Sequence, residues 1–130
     1  CLFVGDGGIQ MTVQELGTIM QYGVAVKIVI LNNGWLGNVR QWQELFFGGR
    51  YSATRMMNPD YMLIAKAYSI DAEVVESRED LDGAVRRMFA DDRPYILDVR
   101  VIEDGNVMPM IPPGKGIDEI MLSETEWYEK

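Results

Sequence analysis

Two polar loops carry the residues of this sequence that are best suited to chemistry. The first loop is Gly5-Asp6-Gly7-Gly8 and the second is Asn32-Asn33-Gly34. Asp6 offers an anionic oxygen and the Asn33 side chain offers a neutral one, and Mg²⁺ prefers such hard ligands together with water and substrate phosphates. Glycines beside Asp6 allow a diphosphate to approach backbone N–H groups. Together the loops predict a magnesium–diphosphate site, although each loop taken alone is more often a plain turn.

The residue types that the sequence lacks narrow this chemistry further. The chain of 130 residues has no histidine and a single cysteine, Cys1. These counts exclude an intrachain disulfide framework, a Cys-rich metal site and a Ser-His-Asp triad. The first loop also lacks the Gly-Lys-Ser/Thr ending of a Walker A motif. Any reaction must therefore use carboxylates, amides, a metal ion or a bound cofactor.

Composition and charge define the class of protein and its partners. The length corresponds to about one domain, and 48% hydrophobic with 25% charged residues is typical of a globular protein. The formal net charge is −8, and the acidic excess lies entirely in residues 66–130. Nucleic acid is therefore excluded as a partner, since no basic stripe offsets phosphate repulsion. No apolar run reaches the length that a membrane span requires.

The elements around the two loops predict an α/β fold. A strand precedes the first loop, and a helix follows over 12–22 with a Thr12…Glu15 capping box at its start. Asn58-Pro59-Asp60 predicts the start of another helix, with the Asn58 amide as its cap. The other predicted elements are strands over 26–31, 72–76 and 95–102 and helices over 36–46 and 77–91. This order predicts an open, mostly parallel sheet with helices on both faces. Because ligands bind at the carboxyl ends of such strands, the two loops are expected to be neighbours at one edge.

The two ends of the chain carry further expectations. The sequence opens on Cys-Leu-Phe-Val, a strand already under way, which predicts a piece of a longer protein. Its exposed apolar face or sheet edge would favour self-association. Residues 105–130 form a proline-rich tail that cannot join a sheet interior and is expected to run extended over a surface. Residues 123–126 there offer the start of a last helix.

The spacing of the two loops resembles the cofactor fingerprint of thiamine-diphosphate-dependent enzymes. Longer segments are similar to the large catalytic subunit of acetohydroxyacid synthase (acetolactate synthase), namely Gln10-Met11-Thr12-Val13-Gln14-Glu15-Leu16, residues 26–33, Leu36-Gly37, Val39-Arg40-Gln41-Trp42-Gln43, Gly49-Arg50-Tyr51-Ser52, Asn58-Pro59-Asp60 and Pro109-Met110-Ile111-Pro112-Pro113-Gly114. The resemblance covers nearly the whole chain. It implies that residues 1–104 are part of a thiamine-diphosphate-binding domain, truncated at its N-terminal side, and that residues 105–130 pack over the site.

The resemblance also implies the ligands. Mg²⁺ would be bound by Asp6, the Asn33 side chain and the backbone carbonyl of Trp35. Thiamine diphosphate would be bound by Gly5, Gly7, Gly8, Asn33, Leu36 and Gly37. Substrate would be contacted by Asn38 and Trp42, and Trp42 would help to recognise the second 2-keto acid. FAD, which the full-length family protein can carry, would not be bound by this segment.

The activity implied by the resemblance is the decarboxylation of pyruvate and transfer of its two-carbon unit to a second 2-keto acid, in valine and isoleucine biosynthesis. The implied assembly is a cytoplasmic homo-oligomer of catalytic subunits with a regulatory small subunit. No catalytic residue is identified in this segment, because the family's activating glutamate lies in the N-terminal domain of a partner subunit. The isolated segment is therefore expected to be inactive.

Two departures and two alternatives stand beside this interpretation. Asn38 replaces a usual methionine near the substrate, and Gly8-Ile9 replaces a common Ser-Phe pair. The alternatives are another thiamine-diphosphate enzyme, such as a pyruvate oxidase or a 2-keto-acid decarboxylase, and a non-catalytic binding module. The segment around Trp42 and the proline-rich tail favour acetolactate synthase over the first alternative. Without the family pattern, Trp42 itself would be interpreted as a core residue.

Overall fold

A computed structural model describes residues 1–123, which form two compact units. The first unit consists of Cys1–Trp35 and Met56–Glu103. The second consists of Leu36–Arg55 and the chain from Asp104 onward, described up to residue 123. The first contains the sheet, and the second contains one helix and the proline-rich tail. No helix of residues 1–123 is both long and apolar enough to cross a membrane.

The sheet of the first unit is parallel throughout, as the sequence predicts. Its strands are β1 (Leu2–Gly5), β2 (Lys27–Asn32), β3 (Asp71–Val75) and β4 (Tyr95–Arg100), in the order β1-β2-β4-β3. Strands β1 and β3 are therefore the edges. The register pairs Ile30 of β2 with Asp98 of β4, and Asn32 with Arg100. These pairs lie at the carboxyl ends of the strands, where an open α/β sheet binds ligands.

Helices cover both faces of this sheet, which confirms the predicted fold class. The α-helices of the described chain are α1 (Asp6–Met11), α2 (Glu15–Tyr22), α3 (Gly37–Phe46), α4 (Tyr61–Ala67) and α5 (Arg78–Met88). One apolar core joins Ile28, Ile30 and Ile96 to α1, α2 and α4. A second core joins Val29 and Leu97 to α5. Because alternate strand residues face opposite sides, neighbouring residues of β2 and β4 serve different cores.

The connection between β1 and β2 differs from the prediction in its local structure. The glycine-rich loop is no isolated turn, because α1 begins directly at Asp6, and the helix predicted over 12–22 starts only at Glu15. The predicted capping box does not form, since the N-cap of α2 is Gln14 and has no side-chain cap. A Cβ at Gly8 would lie 2.9 Å from a methyl group of Val4, so glycine lets α1 pack closely on β1.

The start of α4 is a second correction. Asn58 was expected to cap this helix, but the N-cap is Asp60, whose carboxylate accepts from the N–H groups of Met62 at 2.9 Å and Leu63 at 3.0 Å. An Asp side chain at this position satisfies amides that the first helical turn leaves without partners. The Asn58 side chain is thereby left for other contacts.

The second unit holds the tail against α3. Met110 and Met121 form an isolated antiparallel bridge, with a short 3-10 helix (Ile117–Glu119) between them. The tail therefore doubles back on itself, whereas the sequence predicts only an extended course. Of the helix start expected at residues 123–126, only residue 123 lies within the described residues.

Candidate metal and diphosphate site

The carboxylate of Asp6 joins the two polar loops, as expected from the parallel sheet. Its Oδ2 accepts from the backbone N–H of Gly34 at 2.8 Å, across 28 positions of the chain. Its Oδ1 accepts from the N–H of Gly7 at 3.1 Å. Asp6 is only 1% exposed, and a buried charge needs such donors or a cation to offset its lost hydration. The structure thus places a carboxylate oxygen, which can ligate a metal ion, where the two loops meet.

Asn33 lies next to Asp6 through the same turn. Its Oδ1 accepts from the backbone N–H of Trp35 at 3.1 Å, a local side-chain turn that fixes the amide. The indole N–H of Trp35 donates to Glu103 Oε2 at 3.3 Å, which ties this loop to the segment after β4. Asn33, Trp35 and Asp6 all belong to the first unit.

Asn58 is part of this site, although its position before Pro59 and Asp60 predicts a helix cap. Its Nδ2 donates to Asp6 Oδ2 at 2.6 Å and to Asn32 Oδ1 at 2.9 Å. Its Oδ1 accepts from Gln10 Nε2 at 2.9 Å. Both protons of one amide are therefore used, one of them on Asp6. Asn58 links the start of α1 to the end of β2.

Asn58 contacts a polar group formed by Asn32, Asp98 and Arg100. Asn32 Nδ2 donates to Asp98 Oδ1 at 2.9 Å, and Arg100 pairs with Asp98 Oδ2 at 3.1 Å. Asn32 and Asp98 lie on the same face as Ile30, because they alternate with residues of the opposite face. Burial raises the pKa of Asp98 above its usual range, opposed by the Asn32 hydrogen bond and the Arg100 charge.

Tyr61 contacts both Asp6 and Asn58 through its hydroxyl. Its hydroxyl donates to the backbone carbonyl of Asp6 at 3.0 Å and lies 3.4 Å from Asn58 Oδ1. Burial is the main cause that raises the pKa of this phenol, and the charge of Asp6 raises it further. The phenol therefore stays protonated and serves as a donor that fixes the start of α1.

These residues fit a magnesium ion with a diphosphate. A carboxylate has about four acceptor positions, and three donors occupy Asp6 as described, so it retains capacity for a cation. Asn33 adds a hard neutral oxygen of the kind that Mg²⁺ takes. An added Cβ at Gly5 would meet no atom within 4 Å, so there is open space beside Asp6. A cleft of about 320 Å³ also opens at the ends of β2 and β4, lined in part by Asn33, Gly34 and Arg100.

The other predicted site residues lie in the second unit. Leu36 is the N-cap of α3 and donates its N–H to the carbonyl of Thr54 at 2.8 Å, and Gly37 starts the helix. Asn38 is exposed, and with Trp42 it lines a pocket of about 210 Å³. The convergence of these residues with Asp6 therefore stays a prediction.

Trp42 is no core residue. It is 42% exposed and meets the ring of Phe46 edge to face, with centroids 5.8 Å apart. It also lines an apolar pocket of about 380 Å³ with Phe46, Phe47, Pro112 and Pro113. An exposed aromatic ring between helix and tail is available to a ligand.

Two signals in the sequence could have revealed the missed residues. Asp98 interrupts the apolar run Tyr-Ile-Leu-Asp-Val-Arg and shares the alternation of Ile96, which places a carboxylate on a buried face. Asn58 precedes an Asp two positions later, which is an equally good cap and frees the asparagine. The contact between Asn58 and Asp6 spans 52 positions, and no local pattern encodes it.

Comparisons with known proteins show the family of this chain. Residues 1–99 match the family described as thiamine pyrophosphate enzyme, C-terminal TPP binding domain. The chain is 44% identical over 119 residues to an acetolactate synthase of Arthrospira platensis, covering 90% of this chain and 21% of that protein. It is 42% identical over 118 residues to the acetolactate synthase isozyme 2 large subunit of Escherichia coli K12, covering 90% and 22%.

A solved structure gives the same picture of the fold. The thiamine diphosphate-dependent 4-hydroxybenzoylformate decarboxylase of Rhodococcus jostii RHA1 superposes with a TM-score of 0.73 at 28% identity, over 78% of this chain and 19% of that one. The resemblance to acetolactate synthase, which rested on sequence segments, is confirmed by the two relatives. The chain spans about a fifth of the length of the curated relatives it matches.

Proposed function

The chain belongs to the family of thiamine pyrophosphate (thiamine diphosphate) enzymes, as part of their C-terminal TPP binding domain, and we propose that it binds the cofactor through Mg²⁺. Asp6 and the Asn33 side chain would hold the metal, with the backbone carbonyl of Trp35 as a third ligand. The observation that carries this proposal is the buried Asp6 carboxylate bonded to Gly34, because it brings both loops of the fingerprint to one point.

The residues of the chain would bind and orient the cofactor. The proposed contacts of the cofactor are Gly5, Gly7 and Gly8 beside Asp6, with Leu36 and Gly37 as further contacts; of the glycines beside Asp6, Gly5 has open space around its Cα. When bound, thiamine diphosphate supplies the decarboxylation of a 2-keto acid and the transfer of the remaining two-carbon unit. Tyr61 and Asn58 hold Asp6 in place, so the carboxylate that would bind the metal is already positioned.

The whole protein is proposed to be an acetolactate synthase, of which this chain is a C-terminal piece. Support comes from the relatives of that name at 42% and 44% identity over 90% of the chain. We propose that Trp42 and Asn38 contact the second 2-keto acid and that the tail covers the site and excludes water. The E. coli relative is named a large subunit, which supports a homo-oligomer of catalytic subunits with a small partner subunit.

A 2-keto-acid decarboxylase is the second candidate. The structural likeness to a decarboxylase favours it, although at 28% identity that likeness is weaker in sequence. The two candidates differ in product, because pyruvate gives acetolactate in one case and acetaldehyde in the other. Product analysis of the full-length protein decides between them. The isolated chain is expected to give neither, since it holds no activating glutamate by motif.

Calorimetric titration of the 130-residue chain with thiamine diphosphate, with and without Mg²⁺, tests the binding proposal. Heat of binding is expected only with Mg²⁺. Asp6→Ala should abolish it, because the metal loses its anionic ligand. Asp82→Ala removes a charge on the exposed side of α5 and is the matched control.

Equal binding by Asp6→Ala and the unchanged chain would contradict the proposed metal site. No binding by a chain whose circular dichroism shows it folded would contradict binding by this piece alone. In that case the same two variants in the full-length protein decide the role of Asp6. Location in the cytoplasm and FAD binding elsewhere in the full-length protein remain predictions from the resemblance.

A further inference from the structure

The amides around Asp6 form a chain of hydrogen bonds with one direction. Asp98 Oδ1 accepts from Asn32 Nδ2 at 2.9 Å, and an ionised carboxylate can only accept. The Asn32 amide is therefore turned with its nitrogen toward Asp98, which leaves its Oδ1 toward Asn58. Asn58 must then present its Nδ2, and it donates to Asn32 at 2.9 Å and to Asp6 at 2.6 Å.

Each reversal in this chain would break contacts at both ends. If Asn32 turned over, its oxygen would face the Asp98 carboxylate and its nitrogen would face the nitrogen of Asn58. If Asn58 turned over, its oxygen would face Asp6 Oδ2 and the oxygen of Asn32, and its nitrogen would face the donor amide of Gln10. Such contacts are most costly between Asn32 and Asp98, which are buried and have no water to replace the lost bond. The contacts of Asn58 with Asp6 and Asn32 are part-buried.

Burial makes the arrangement rigid. Asp98 is 1% exposed and Asn32 is 4% exposed, and Asp98 is also paired with Arg100 at 3.1 Å. Among the described residues no buried side-chain polar atom lacks a partner. The acceptor at position 98 therefore orients the Asn32 amide, and the oxygens of Asn32 and Asp6 together accept both protons of the Asn58 amide.

We propose that Asp98 is a positioning residue for Asp6 and acts through Asn32 and Asn58. Its role is to keep the oxygen of Asn32 turned toward Asn58, so that Asn58 stays bonded to both Asn32 and Asp6, and Asp6 Oδ2 stays fixed beside the Gly34 N–H. The importance of this role for metal binding rests on the function proposed above for Asp6. The position of the amides themselves does not rest on that function.

The first test measures the amides without any cofactor. In the ¹⁵N-labelled chain, exchange of the Asn58 side-chain protons with water is expected to be at least tenfold slower than that of Asn38, which is exposed. Asp98→Leu keeps the size of the side chain and removes the acceptor that orients Asn32, so the Asn58 protons should exchange several-fold faster than in the unchanged chain. Asp98→Asn keeps an acceptor oxygen and should restore most of the protection.

The resonance of the Gly34 amide proton gives a second, independent signal. Because this proton points at Asp6 Oδ2, it should shift in Asp98→Leu and return toward the wild-type position in Asp98→Asn. Slow exchange of the backbone amides of Ile30 and Leu97, in the centre of the sheet, shows that each variant is folded. Protected Asn58 protons and an unchanged Gly34 resonance in a folded Asp98→Leu chain would overturn the proposal.

A titration of the same samples with Mg²⁺ alone connects the network to the metal. The Gly34 and Asn33 amide resonances of the unchanged chain are expected to move, with an affinity that falls about tenfold in Asp98→Leu and is unaltered in Asp82→Leu. Equal affinity in both variants would overturn the effect of Asp98 on the metal. A chain that keeps its Asn58 protection and shows no response to Mg²⁺ contradicts the proposed function while supporting the amide assignment.

Discussion

The two units of the chain use their buried polar side chains in different ways. In the first unit, Asp6 is bonded to a group in which side chains bond to one another, through Asn58, Asn32 and Asp98. In the second unit, two glutamines of α3, Gln41 and Gln43, bond to main-chain atoms of the segments beside the helix. Gln41 donates to the carbonyl of Val107 at 3.0 Å and accepts from its N–H at 2.9 Å.

This difference has consequences for how each unit responds to change. Side chains that satisfy one another must reorient together, so the first unit is expected to respond as a coupled group. Side chains that bond to main chain act as separate tethers. Gln43 bonds to the main chain of Ser52 through both its amide atoms, and shares no partner with Gln41. Changes at these two glutamines are therefore expected to act independently, whereas changes in the group around Asp6 are expected to act together.

The largest expected effect on stability is at Arg40, which bonds α3 to the start of the tail. Its guanidinium is buried and bonds to Glu44 at 2.6 Å, the carbonyl of Asp104 at 2.6 Å and Asn106 at 3.2 Å. Arg40→Ala leaves Glu44 without its closest partner and should lower the free energy of unfolding by about 3 kcal/mol. Urea denaturation measures this loss, and Arg86→Ala on exposed α5 is the matched control. A loss no greater than that of the control would show that the tail is held by its apolar contacts.

Double-mutant cycles test the comparison directly. Asp98→Leu with Asn58→Ala, two residues that are linked only through Asn32 in the contacts above, should show a coupling energy of about 1 kcal/mol or more. Gln41→Ala with Gln43→Ala should be additive to within about 0.5 kcal/mol. The measurement is the free energy of unfolding of each single and double variant. Additive behaviour in the first pair, or strong coupling in the second, would remove the distinction between the units.

The sequence predicts features that depend on contacts between residues close along the chain, and it misses features that depend on contacts between distant residues. The order of the strands, the helices other than α1, the parallel sheet and the meeting of the two loops follow from local patterns and from the rule for carboxyl ends. The sequence predicts a turn where α1 begins. Asn58 could not be assigned, because its partner Asp6 lies 52 positions away and Asp60 competes for the cap. The tail doubles back because Met110 pairs with Met121, and a proline-rich sequence does not indicate such a pairing.

A smaller effect concerns pH and the first unit. Burial raises the pKa of Asp98 in the folded chain above its unfolded value, so the folded state binds this proton more tightly. The contribution of Asp98 to stability therefore falls as pH rises from below the unfolded value through the folded one. Asp98→Asn does not titrate, so its stability relative to wild type should increase over the same range. Urea denaturation at several pH values measures the difference, with Asp82→Asn as control; a relative stability that decreases with pH would mean that Arg100 and Asn32 outweigh burial.

The smallest expected effect on stability is at Trp42. This prediction distinguishes a residue proposed to contact substrate from the residues that stabilise the second unit. Trp42 is 42% exposed and its main described ring contact is Phe46, so Trp42→Phe should cost only about 0.5 kcal/mol. Phe47→Leu, at another exposed ring of the same pocket, is the matched control. In the full-length protein the same Trp42 change should alter the ratio of products formed from two competing 2-keto acids, because the ring is available to a ligand. A loss of stability above about 2 kcal/mol with an unchanged product ratio would make Trp42 a packing residue, and the acceptor pocket would then have to be built from other side chains.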